Sequence, residues 1–151
     1  MIRTTLLALS LSLSLAACGD TTEIAEQAAS IDLPALVNPN TASEADMLAA
    51  GVPADVAAAA IANRPFADGV AFAEFAQANG AADVLDIAFI PLPLNTTDEA
   101  NFKLIPGVGD KMAHEFEEYR PYTDMAQFDR EIAKYVDAEE LARLRRYVTV
   151  D

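Results

Sequence analysis

Leu104-Ile105-Pro106-Gly107-Val108-Gly109-Asp110-Lys111-Met112-Ala113-His114-Glu115-Phe116-Glu117-Glu118-Tyr119 is the stretch on which the fold turns. Pro106 cannot occupy a helix interior, so it stops the apolar segment before it. Gly107 and Gly109 reach backbone angles that side chains disfavour, which suits a tight reversal. Beyond Gly109 the apolar residues Met112, Ala113, Phe116 and Tyr119 recur at helical spacing. The prediction is helix, tight hairpin, helix, with the N–H groups of the second helix pointing out of the turn.

Outward from this stretch the chain repeats itself. Asn95-Thr96-Thr97-Asp98-Glu99 is matched by Asn40-Thr41-Ala42-Ser43-Glu44, and Gly107-Val108-Gly109 by Gly51-Val52-Pro53. Tyr119-Arg120-Pro121-Tyr122 is matched in turn by Asn63-Arg64-Pro65-Phe66. The offset between partners changes by one, so the first copy lacks one residue between Met47 and Gly51. Both Thr-x-x-Glu segments read as capping boxes, in which two side chains satisfy two orphan N–H groups at a helix start. Two diverged copies of one unit account for the pattern.

Each copy also carries a second, weaker helical pair. In the second, Met125–Ile132 presents Met125, Phe128 and Ile132 on one face, Tyr135-Val136-Asp137 turns, and 138–147 turns Leu141, Leu144 and Tyr147 inward. In the first, 70–78, a turn at Asn79-Gly80 and 82–89 do the same. Ile90-Pro91-Leu92-Pro93-Leu94 is an extended connector, because alternate prolines forbid helix. Helices this short depend on tertiary packing. The expected fold is all-α, with units at 37–94 and 95–151.

Leu104-Ile105-Pro106-Gly107-Val108-Gly109 with Ala113 and Phe116 resembles a helix-hairpin-helix motif, and Asn95-Thr96 stands where ComEA-type competence DNA receptors carry their own Asn-Thr. The resemblance implies a SAM/HhH-like fold with two tandem helix-hairpin-helix units, the first degenerate. It also implies non-sequence-specific binding of double-stranded DNA through phosphates, in DNA uptake. Helix N–H groups and a small hairpin make such a site, which positions the duplex without reading its bases. The residues assigned to it are Pro106, Gly107, Val108, Gly109 and Lys111, with Arg143, Arg145 and Arg146. In some members hairpin carbonyls, here those of Leu104, Pro106 and Val108, hold a monovalent cation; no resident metal or cofactor is expected here.

Residues 1–17 read as a lipoprotein signal peptide: Arg3 supplies the positive region, a short apolar run follows, and Leu15-Ala16-Ala17-Cys18 resembles a bacterial lipobox. Cys18 is the expected lipidation site, and it would hold the chain on a membrane of the cell envelope, facing the periplasm. Residues 18–36 are polar and acidic and read as a flexible tether, with a reach of roughly 20–25 Å.

Charge works against the DNA reading. The chain carries 24 acidic and 10 basic residues, a net charge of −14. Such a field favours cationic partners over a polyanion. Residues 37–94 hold seven acidic residues against Arg64 alone, and 95–151 thirteen against eight basic ones. Pro53 removes an N–H from the first hairpin. Asp55 and Asp110 stand in the first turns of the following helices, where a carboxylate is stabilised by the N–H groups that would hold a phosphate. The alternative expectation is a structural or protein-interaction module, similar to the small extrinsic subunit of photosystem II. With a single cysteine there is no internal disulfide. His114 has no nucleophile or second histidine at catalytic spacing, and no enzyme is expected.

Overall fold

The computed structural model describes residues 20–150. The expected signal peptide and Cys18 lie outside the described residues. The described chain is mostly helical, in keeping with the all-α expectation. Its helices are α1 (Thr21–Ser30), α2 (Glu44–Ala50), α3 (Ala54–Ala62), α4 (Gly69–Ala78), α5 (Glu99–Phe102), α6 (Asp110–Glu118), α7 (Met125–Ile132) and α8 (Ala138–Leu144). Short 3-10 turns follow at Ala82–Asp86 and Arg145–Tyr147. Two small strands, β1 (Leu92–Pro93) and β2 (Val148–Thr149), pair in parallel with Leu92 opposite Val148. No helix of the described residues is long and apolar enough to cross a membrane.

Each half is closed in the same way. The segment entering the first half bridges the segment leaving it: Val37 N–H donates to the Ile87 carbonyl (2.8 Å) and Phe89 N–H to the Val37 carbonyl (3.0 Å). In the second half β1 and β2 play that part, with Leu94 N–H donating to the Thr149 carbonyl (2.8 Å). This pairing draws Ile87 to Phe89 out of the helix expected over 82–89, which is therefore only a 3-10 turn ending at Asp86.

The apolar pattern becomes one continuous core. Phe116 contacts Phe102 and Phe128 edge-on, at centroid distances of 5.2 and 5.3 Å. In the first half Phe66 packs on Phe72 (5.2 Å) and Phe75 (5.1 Å). Tyr147 joins the halves: fully buried, it meets Phe89 edge-on at 5.1 Å and donates its hydroxyl to the Leu85 carbonyl at 3.2 Å. Leu141 and Leu144 are equally buried, as their spacing predicts. Aspartates cap α4, α7 and α8, each accepting an N–H three residues on: Asp68 from Ala71, Asp124 from Gln127 and Asp137 from Glu140. Such caps contribute about 1 kcal/mol each.

Two further expectations are corrected. The segment read as a flexible acidic tether, 18–36, is a helix over Thr21–Ser30, capped by Asp20 and lying on α7 and α8. Ala28 is buried, with Ile24, Ala25, Ile31 and Leu33 against the core, and Arg146 donates to the Pro34 carbonyl (2.7 Å). Ala28 of α1 and Ala142 of α8 are both buried where the two helices pack, small residues that add little hydrophobicity. The second correction concerns capping. The box at α2 is formed by Ser43 and Asp46, not Thr41 and Glu44. The chain first turns through 38–42, with Ala42 N–H donating to the Asn38 carbonyl (3.0 Å), so the helix starts two residues later. At α5, Asp98 takes the N-cap position without a side-chain bond.

Candidate nucleic-acid interface

The Asn…Arg-Pro-aromatic recurrence is a duplicated clasp beneath each hairpin. Asn95 donates to the Tyr122 carbonyl (2.9 Å) and accepts the Tyr122 N–H (2.7 Å). Asn40 does the same with Phe66, at 2.9 and 2.8 Å. Arg120 donates through two nitrogens to the carbonyls of Leu94 and Thr97, and Arg64 likewise to Pro39 and Ala42. Both Arg-Pro peptide bonds are cis. Spacing the two guanidinium nitrogens as a fork lets one side chain bind two carbonyls, which an ammonium cannot match. These arginines therefore hold loops together and are not available to a ligand.

The clasps present the hairpins. Gly107 has φ +78° and Gly51 φ +102°, so both sit in the left-handed region that requires glycine. The next residue is a buried valine in each case, Val108 and Val52, and the following helix starts two residues later. In the second hairpin Gly107, Gly109, Asp110 and Lys111 face outward. A Cβ on Gly109 would meet nothing within 4 Å, so the approach to α6 is open there. The first bond of this helix runs from Ala113 N–H to the Gly109 carbonyl (3.0 Å), and the N–H groups of Asp110, Lys111 and Met112 have no acceptor among the described residues. These orphan donors are what an anion at a helix start uses.

Asp110 does not fill that position, contrary to expectation. Its carboxylate turns back across the hairpin to Lys103, at 2.9 Å, because the ammonium is a nearer full charge than the helix dipole. His114 is an exposed helix residue, 3.3 Å from Glu99 and 3.8 Å from Glu118.

The expected arginine cluster diverges. Arg143 lies against the hairpin, one terminal nitrogen 3.2 Å from where a Cβ on Gly107 would stand, and makes a two-bond pair with Glu140. Arg145 turns away to Asp129 (3.3 Å). Arg146 holds Pro34 and lies over the Tyr147 ring, 5.7 Å from its centroid. Arg143 and Arg146 share an open depression of about 420 Å³ with Leu33, but Asp137, Glu139 and Glu140 line it too. Lys111 lies over the Tyr135 ring at 5.4 Å. Among the described residues Lys111 and Arg130 are the cations without a carboxylate or carbonyl partner. Of the assigned residues, then, the structure gathers Pro106 to Gly109, Lys111 and Arg143, while Arg145 is paired with Asp129 and Arg146, though it lines a depression with Arg143, is committed to Pro34. The pairing of Glu140 with Arg143 and of Lys103 with Asp110 was not foreseen from the sequence; the i, i+3 spacing of Glu140 and Arg143 was the available signal. No set of three or more metal-binding side chains is gathered among the described residues.

Asp129 gives a pH-dependent prediction. Burial pushes its carboxyl above the ordinary range, Arg145 opposes this, and Oδ1 has no aligned hydrogen bond. The folded state thus holds the Asp129 proton more tightly than the unfolded state. Its contribution favours folding below the ordinary carboxylate range and declines as pH rises through the raised value. Asp129→Asn is expected to remove that decline, leaving the variant about 0–1 kcal/mol more stable than wild type at pH 7. Urea unfolding at pH 4 and pH 7 measures it, and a variant clearly less stable at pH 7 contradicts it.

Comparison with protein-family models, curated proteins and solved structures finds no match to this chain.

Proposed function

We propose that this chain is a cell-envelope lipoprotein, anchored at Cys18 after removal of 1–17, with two diverged helix-hairpin-helix units of the ComEA type. Its second hairpin binds the backbone of double-stranded DNA, weakly and without sequence preference. The observation that carries this reading is the start of α6. Three N–H groups without acceptors open beside Gly109, where no side chain stands, with the unpaired Lys111 in the same turn and Arg143 alongside. The first hairpin contributes little, since Pro53 stands at its helix start and Asp55 follows.

A second reading is favoured by a specific observation. Among the described residues every basic side chain but Lys111 and Arg130 is committed to the chain's own carboxylates or carbonyls, in a molecule of net charge −14. That is the economy of a structural or protein-interaction module, whose partner would meet an acidic surface.

Binding of a fluorescent duplex as a function of salt separates the two. The DNA reading expects binding at about 50 mM salt that falls with a log–log slope of about −1, matching Lys111, the cation of the second hairpin without a carboxylate partner. Gly109→Glu and Lys111→Glu should each abolish it; both positions are exposed, so folding is spared, whereas a side chain on Gly107 would be strained. No binding at about 50 mM salt, where phosphate contacts are strongest, rejects the DNA reading.

A further inference from the structure

We infer that Glu140 and Asp110 act as built-in competitors for the cations of the second hairpin, so that a phosphate must displace a carboxylate to bind; this rests on the DNA reading. The geometry is that of an occupied anion site. Arg143 Nε lies 2.7 Å from Glu140 Oε2, and a terminal nitrogen lies 2.7 Å from Oε1. This is the forked pairing that a guanidinium also makes with phosphate. The guanidinium is meanwhile held at the hairpin: it touches the space above Gly107 and lies 5.6 Å from the centre of the Tyr147 ring. The cation is thus in place and its charge is already answered.

The other flank repeats the arrangement. Lys103, just before the hairpin, reaches Asp110, just after it, at 2.9 Å. The Asp110 side chain is 87% exposed, so the pair sits in solvent, where displacement by an incoming oxyanion is easy. Glu139 lines the same depression as Glu140 but holds no cation. That difference isolates the mechanism: removing either glutamate changes the net charge equally, and only one of them frees Arg143.

The test is duplex binding by wild type, Glu140→Gln, Glu139→Gln, Asp110→Asn and Glu140→Gln combined with Arg143→Gln. Glu140→Gln is expected to bind about 3- to 10-fold more tightly at about 50 mM salt and to steepen the salt slope by about 0.9, the signature of one added phosphate contact. Asp110→Asn should add a similar step through Lys103, Glu139→Gln should gain less than about 2-fold, and Arg143→Gln should cancel the Glu140→Gln gain. Binding by Glu140→Gln with none by wild type rejects the DNA reading of the native chain and, with it, the inference that rests on it. Salt-sensitive wild-type binding with Glu140→Gln no tighter than Glu139→Gln overturns it and leaves the DNA reading standing. No binding by any of the five proteins rejects the DNA reading and the inference together.

Discussion

Arg120→Ala is expected to lower stability by about 3 kcal/mol, a fall of roughly 10 °C in Tm for a domain of this size. The side chain bonds two carbonyls, those of Leu94, which is fully buried, and Thr97, which is nearly so. Deleting it leaves both without a partner, and an unmet buried acceptor costs more than the bond gained. The guanidinium also lies 5.4 Å from the centre of the Phe102 ring and 3.3 Å from a Glu117 carboxylate oxygen. Arg120→Lys should recover less than half, since one ammonium cannot reproduce the fork. Arg64→Ala, whose arginine makes the same two carbonyl bonds, should cost less, about 2 kcal/mol, for want of the ring and carboxylate. Urea denaturation of the three variants decides the matter. A loss under about 1 kcal/mol for Arg120→Ala means that the clasp is not what holds the hairpin in place.

Gly69→Ala carries the second large effect, and its sign is opposite to helix propensity. In an exposed helix, glycine to alanine stabilises by up to about 1 kcal/mol. Here a Cβ would stand 2.1 Å from the Ile90 carbonyl oxygen and 2.8 Å from a Leu92 methyl. The carbonyl is backbone of the connector that leads into β1, so neither side yields without moving α4. The expected net cost is about 2–3 kcal/mol. Gly80→Ala is the comparison: φ is +67° but the space is empty, so only backbone strain of about 1–2 kcal/mol applies. If Gly80→Ala proves the more damaging, close packing at Gly69 is not limiting.

The second half was the more legible. α7 falls on Met125–Ile132 as expected, because Phe128 and Ile132 mark a strong stripe and Asp124 caps it. α6 begins where Gly109 ends the hairpin. What escaped has physical causes. α1 docks through Ala25, Ala28 and Ile24, and alanines signal close approach only once a partner surface is known. The helix start at Glu44 depends on a turn tied by Arg64 to the Ala42 carbonyl, a bond across 22 residues. Strands of two residues are too short for alternation to show. The Arg-Pro-aromatic recurrence was visible, but not that it serves the fold. Likewise the charges near the hairpin could be counted from composition, while their pairing, which decides how much of each is free, needed coordinates.

The docked arm also bears on how the chain reaches this state. Arg146 meets Pro34 across 112 residues, and Tyr147 meets Leu85 across 62. α1 lacks the surface it lies on until α7 and α8 exist, so during synthesis it is among the last of the described helices to settle. Contacts this distant along the chain carry a loop-closure cost before they return any stability, which places folding on the slow side for a helical protein. They also couple the halves: loss of the segment from α8 to Tyr147 undocks the arm and uncovers Phe89 at once. A repeat that looks divisible on paper is thereby made to melt as one unit.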